Sequence, residues 1–178
     1  MDVGKSIRAR RRQLDLTLAQ LSERSGLSAA FLSQVERNLA GLSVTSLKQI
    51  SQGLEVSINY FLAIEEADEP IHSIHSPRFF EIDASKVRYA RLGSTTKDRE
   101  FEPLFVVIPA HFVSETSQHV GEEFIFVIKG QISVQVGSRV HRLKAGETLH
   151  YKSNIPHTWR NDHAKEVQIL TINTPRLL

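Results

Sequence analysis

The stretch Ser117 to Val134, SQHVGEEFIFVIKGQISV, sets a histidine and two adjacent glutamates directly ahead of an apolar run that reaches Gly130. Imidazole and carboxylate at this density suit either a metal centre or the polar wall of a small-molecule pocket. Glu122 and Glu123 are not an acid/base pair, because neighbours on a strand point to opposite faces, whereas Ser117 and His119 point the same way. The chain contains no cysteine, which excludes disulfide scaffolds, thiolate zinc sites and cysteine nucleophiles. Any metal must therefore sit on His, Asp or Glu. GxSxG, the phosphate-binding glycine loop, GxGxxG and HExxH are all missing, so hydrolase, kinase-like, dinucleotide and zincin readings have no support.

A second chemistry lies at the other end. Residues 1 to 62 hold eight Arg and Lys against five Asp and Glu, and five of those eight are Lys5, Arg8, Arg10, Arg11 and Arg12. Such a run either supplies salt-dependent contact to phosphates or lies along a solvated helix face. All eight histidines come after residue 70, and the net charge is only +2. Two segments of different chemistry thus meet near residues 63 to 77, and 178 residues are enough for two small domains. The boundaries read as 1–64, a linker over 65–77, and 78–178. The linker, acidic and carrying two prolines, has no sustained period. No apolar run approaches the length of a bilayer crossing, and the N-terminus lacks the apolar core of a signal peptide. A soluble cytoplasmic protein with no membrane partner is expected.

The elements that must position these residues differ in period. From Val3 to about Phe61 apolar residues recur at helical spacing. Thr17, Ser28 and Ser43 stand where N-caps would open the second, third and fourth helices, with Gly26 and Gly53 closing the second and fourth and INYFL forming a short last helix. The third is expected over SAAFLSQVERN, with Phe31, Leu32 and Val35 on its buried face. After the linker the period becomes two: VRYARL, FEPLFVVIPA, EFIFVIKG, QISVQVG, RVHRLKAG, TLHYKS, HTWRN and VQILTIN read as about eight short strands of a sandwich or small barrel. The fold class is α+β, an all-α five-helix bundle followed by an all-β barrel.

AQLSERSGLSAAFLSQVERN, with LKQISQGLEVSINYFL closing the bundle, resembles the helix-turn-helix of the phage-repressor-like XRE family over Ile7 to Leu62; NLAGLS departs from the family's usual loop. The resemblance implies that Ala29, Ala30, Ser33 and Gln34 face bases, with Thr17, Ser28, Arg37 and Asn38 near phosphates and Arg10 within the basic run. Alanine can touch a thymine methyl but forms no bidentate bond, so direct readout falls to Gln34 and Ser33. The β half resembles the cupin domain over roughly residues 78 to 175. His119, Glu123 and Gly130 match its first motif, and Gly146, Pro156, His157 and Asn161 its second, while Ser117 occupies the place of the family's first histidine.

That resemblance implies a double-stranded β-helix whose His119, Glu123 and His157 can hold Zn, Fe, Ni or Mn; serine is a poor ligand for these ions, and no cofactor is required. His111 or His150 could complete such a set. The preferred reading is a small-ligand pocket of His119, Glu123, His157 and Trp159, lined by Phe105, Phe126 and Tyr151. The plainest reading is that His119 and Glu123 bond each other, with His157 an ordinary half-buried histidine beside Trp159. Together the two resemblances imply a non-enzymatic transcriptional regulator, expected to repress. Its partners would be a double-stranded inverted-repeat operator, a second copy of itself and a small metabolite that alters operator affinity through the cupin domain. The rival is a metal-dependent cupin enzyme of oxygenase, epoxidase or isomerase type carrying a helix-turn-helix. A third reading makes the barrel a dimerisation scaffold alone.

Overall fold

The computed structural model describes residues 3–62, 71–82, 86–94 and 99–175. They form two compact units, one of helices and one of strands. The linker expected over 65–77 lies partly outside the described residues; residues 71–77 carry neither helix nor strand.

The helical unit contains α1 (Val3–Gln13), α2 (Leu18–Ser25), α3 (Ala29–Glu36), α4 (Val44–Gly53) and α5 (Asn59–Leu62). Each expected N-cap forms. Thr17 Oγ1 accepts from Gln20 N at 3.2 Å while Gln20 Oε1 accepts from Thr17 N at 2.8 Å, so two otherwise orphaned amides at the start of α2 are satisfied reciprocally. Ser28 Oγ accepts from Phe31 N at 3.1 Å and Ser43 Oγ from Ser46 N at 3.0 Å. Gly26 ends α2 at φ +73°, a left-handed conformation that costs glycine little. The third helix stops at Glu36, two residues short of the expected Asn38, because Asn38 turns to φ +57°. Ile7, Leu21, Leu32, Leu47, Ile50 and Leu54 are fully buried and form the core of this unit.

Among the described residues the β unit holds ten strands, against the expected eight or so: β1 (Phe80–Glu81), β2 (Arg88–Arg91), β3 (Glu102–Ile108), β4 (Phe112–Val113), β5 (Glu122–Lys129), β6 (Gln131–Val136), β7 (Arg139–Lys144), β8 (Thr148–Lys152), β9 (His157–Asn161) and β10 (Val167–Thr174). The two additional strands, β1 and β4, have two residues each, too short to show a period. One sheet runs β1-β2-β3-β10-β5-β8 and the other β4-β9-β6-β7, every pairing being antiparallel. Across the larger sheet, register stacks Leu104, Thr171, Ile125 and Leu149 in one inward row and Val106, Ile169 and Val127 in the next. The row at the end of this core is polar: Glu102, Asn173, Glu123 and Tyr151. Gly121, just before β5, stands at φ +114°, and a Cβ there would lie 1.6 Å from the Thr174 carbonyl oxygen. Glycine is required at that point for the chain to pass β10 and enter β5 with Glu123 facing inward.

Candidate functional site

In the helical unit Ser28 caps α3, whose Ala30 and Gln34 are exposed and Ala29 and Ser33 half-buried. Thr17, Ser28, Arg37 and Asn38 are exposed as well, although the hydroxyls of Thr17 and Ser28 are engaged as caps and Arg37 Nε donates to Ser33 O at 3.1 Å. The basic run does not act as one patch. Arg11 lies one helical turn beyond buried Ile7, and its Nε and Nη2 reach Glu36 Oε1 and Oε2 at 2.6 and 2.8 Å, with Nη1 on Leu16 O at 2.6 Å. That fork, 12 % exposed against 5 % for Glu36, is a tie between α1 and α3 and is unavailable to phosphates. Arg10 Nε donates to Leu54 O at 3.3 Å. Lys5, Arg8 and Arg12 are the exposed members and share one face at helical spacing.

In the β unit three elements meet. The segment after β4 pairs with β9 through Ser117 N to His157 O and His157 N to Ser117 O, both 2.9 Å, which brings His119 beside His157. His119 Nε2 lies 3.1 Å and His157 Nε2 3.7 Å from Glu123 Oε1. The three ligand atoms fall within 4.8 Å of one another. Each imidazole Nδ1 faces a backbone carbonyl, Val120 O at 3.1 Å for His119 and Ile155 O at 2.9 Å for His157. A carbonyl accepts only, so each Nδ1 carries a proton and each Nε2 is directed at the carboxylate. An unprotonated Nε2 facing a carboxylate is two acceptors in opposition; a proton or a cation between them resolves it. The donor set therefore fits a divalent ion as a two-imidazole, one-carboxylate group, with the Val120 and Ile155 carbonyls already fixing the orientation of the two rings.

Glu123 is almost wholly buried, which alone would raise its pKa, but bonds from His119 and His157, the charge of His157 and the Tyr151 hydroxyl together hold it at about 2. For His157, burial opposes the charged form, yet Glu123 outweighs it and the imidazole pKa is raised. Burial and then the neighbouring carboxylate push the Tyr151 hydroxyl up, so it stays protonated and donates to Glu123. Trp159 Nε1 donates to that hydroxyl at 3.2 Å and completes the chain Trp159, Tyr151, Glu123, His119 and His157.

Five of the expected pocket residues thus converge, and two do not. Phe126 is on the face of β5 opposite Glu123, Ile125 and Val127, and Phe105 packs on that outer face with Ala90 and Val107. Strand parity excludes both from the interior. His150 also faces out, its Nε2 2.9 Å from Glu122 Oε2, with Lys152 on the other oxygen of Glu122, and His111 is exposed in a turn. Neither completes the set. The adjacent glutamates separate as the strand requires, Glu122 outward and Glu123 inward.

Residues 7–61 match the helix-turn-helix family model and residues 104–173 the cupin domain model. The chain joins an XRE-type helix-turn-helix domain to a cupin domain. Over its full length it is similar to the HTH-type transcriptional regulator PuuR of Escherichia coli, 25 % identical over 174 residues that cover 97 % of this chain and 94 % of that one. It is similar also to the HTH-type transcriptional regulator SutR of Escherichia coli, 26 % identical over 177 residues covering 98 % and 96 %. The solved HTH_3 family transcriptional regulator from Vibrio cholerae shares the fold, with a TM-score of 0.63 at 21 % identity, covering 97 % of this chain and 94 % of that one.

Within the cupin domain the motif residues divide by role. Asn161 is structural, its Nδ2 donating to Pro109 O at 2.8 Å and Lys165 O at 2.9 Å while Oδ1 accepts from His163 N at 3.1 Å. Sequence reasoning missed the other half of the polar row: Glu102, fully buried, bound by Arg91 and Arg99, and Asn173 beside it. The signal was present in β3, where Glu102 has the same parity as Leu104, Val106 and Ile108 and so must face inward.

Proposed function

We propose that this protein is a sequence-specific transcriptional regulator, a repressor in the first instance, in which a small molecule bound inside the cupin barrel alters the affinity of the helix-turn-helix domain for its operator. The domains are taken as 1–64, 65–77 and 78–178, and the acting species as a homodimer on an inverted repeat, whose two heads reach successive major grooves. The observation that carries this reading is the full-length likeness to PuuR and SutR, which extends over both domains rather than the helices alone. Ser28 orders the first turn of α3, and Gln34 and Ser33 are the side chains there able to bond base edges. Ala29 and Ala30 give apolar contact to thymine methyls. Thr17, Arg37, Asn38 and the exposed Arg8 and Arg12 supply phosphate contacts, and Arg10 a lesser one. Regulation follows from linkage: an effector shifts operator affinity only as far as it binds one arrangement of the heads better than the other.

The test is operator selection followed by titration of the full chain with a metabolite panel. Gln34→Ala should lose roughly 1–3 kcal/mol on the selected operator while binding to unrelated DNA is unchanged. A wild-type protein that selects no sequence would sink the reading.

A second reading has its own observation, the convergence of His119, Glu123 and His157. Held by these three, a divalent ion would supply Lewis-acid chemistry at open coordination positions, while Tyr151 fixes the carboxylate and the backbone carbonyls fix both rings. Metal analysis of protein purified without chelator separates the two. Stoichiometric metal that is lost in both His119→Ala and His157→Ala would favour metal-dependent chemistry.

A further inference from the structure

The two sheets of the cupin domain turn unlike faces outward. On the larger sheet, register stacks Phe105, Leu170 and Phe126 of β3, β10 and β5 in one outward row and Pro103, Ile172 and Phe124 in the next. No charged residue stands in either row across these three strands. On the smaller sheet an outward row across β7, β6 and β9 reads Arg142, Ser133 and Arg160. From Phe124 to Ile128 strand β5 is apolar on its outward as well as its inward side, the pattern of a strand covered on both.

Phe79 packs on one corner of the outward face, its ring 5.9 Å from Phe105, which is 3 % exposed. Leu170, Ile172, Phe124 and Phe126 stay half-buried at the surface. A contiguous apolar area of this kind marks a site of association. Strands β3, β10 and β5 run for 7, 8 and 8 residues, and with β2 and β8 beside them the face measures roughly 20 by 25 Å. Covered by protruding side chains, a face of that size presents an area comparable to the about 800 Å² that each partner buries in a standard protein interface.

We propose that this face is the surface on which two copies of the chain pair, the larger sheets packing face to face about a two-fold axis beside β10. A two-fold axis sets a patch against itself, so the patch must tolerate its own charges. The uncharged rows meet that condition, and sheets packed about 10 Å apart interdigitate the aromatic rings of β3 and β5 around Leu170 and Ile172. Loss of charge and enrichment in aromatic rings is also the composition of an interface centre. The outward face of the smaller sheet fails the same condition, because Arg142 and Arg160 would be set against copies of themselves. This self-complementarity selects a second copy as the occupant. The proposal rests on the homodimer reading above and adds the surface to it.

The experiment is sedimentation of the full chain over a range of concentrations, with Leu170→Asp beside the wild type. The wild type should dimerise. Leu170→Asp sets a carboxylate near the axis against its own copy, and should weaken the dimer at least a hundredfold while the cupin domain still melts cooperatively. Because the chain has no cysteine, a single introduced one reports proximity without interference. A short bismaleimide should link Leu170→Cys into covalent dimers and should not link Gln135→Cys, which lies on the outward side of the smaller sheet. Should Leu170→Asp fail to fold, the contrast between the two cysteine variants decides. A dimer that survives Leu170→Asp, or that links through Gln135→Cys and not through Leu170→Cys, overturns the proposal and leaves the homodimer reading standing, as it would if a different protein covered the face. A wild type that stays monomeric at every concentration, alone and on operator, removes both.

Discussion

Arg11 and Arg12 are adjacent in sequence and opposite in environment, the first paired with buried Glu36 and the second exposed. Arg11 lies on the buried side of α1, and removing it leaves Glu36 as a buried, unpaired carboxylate. Arg11→Ala should therefore cost about 3 kcal/mol in urea unfolding of the helical domain, within the range for breaking a buried pair. Arg12→Ala should leave that stability within about 0.5 kcal/mol and instead reduce the slope of log affinity against log salt by about 1. In the barrel, the charge of Glu123 is held by its surroundings. Its folded pKa of about 2 lies below its ordinary value of 4.5. A depressed carboxyl contributes stability that is fully present above the ordinary value and lost as pH falls toward the folded one. Acid unfolding of the wild type should accordingly steepen below about pH 4.5, and Glu123→Gln should flatten that limb.

Caps and turns act at the scale of elements. The helix starts were legible because Thr17, Ser28 and Ser43 each satisfy amides within their own next turn, an interaction local in sequence. Thr17→Ala removes the hydroxyl that accepts from Gln20 N, leaving only the residue 17 amide donating to Gln20 Oε1, and should lower thermal stability by about 1 kcal/mol at the transition midpoint. Gly121→Ala is expected to be more severe, since its Cβ would overlap the Thr174 carbonyl and shift the strand entry that aims Glu123 inward. Its readout is loss of the β unit's cooperative melting with the helical unit's transition retained. Strand identities were legible from period two, but β1 and β4 were not, because two residues cannot display a period.

For the molecule as a whole, one chain carries a helix-turn-helix domain and a cupin domain with a buried polar interior, and the proposed regulation requires the two to be linked. Linkage makes a reciprocal demand: any molecule that weakens operator binding must itself bind less tightly when operator is present, by the same factor. Titrating the effector with and without a saturating operator duplex should give matching ratios. Sedimentation of the full chain should give a dimer, and the selected operator an inverted repeat with half-sites about one helical turn apart.

The sequence by itself determined the two-part organisation, the helix N-caps, eight of the strand segments and the residues His119, Glu123 and His157, because period and capping chemistry are local and the motif spacings survive in one dimension. It also showed that Ser117 stands where the cupin motif carries its first histidine. Tertiary structure decided which side chains share an interior. It turned Arg11 onto Glu36, placed Phe105 and Phe126 outside, set Ser117 in backbone pairing with His157, and brought Glu102 and Asn173 into one row with Glu123. The reason is register: which residues lie side by side depends on hydrogen bonds between strands far apart in the chain, and no local pattern encodes that pairing.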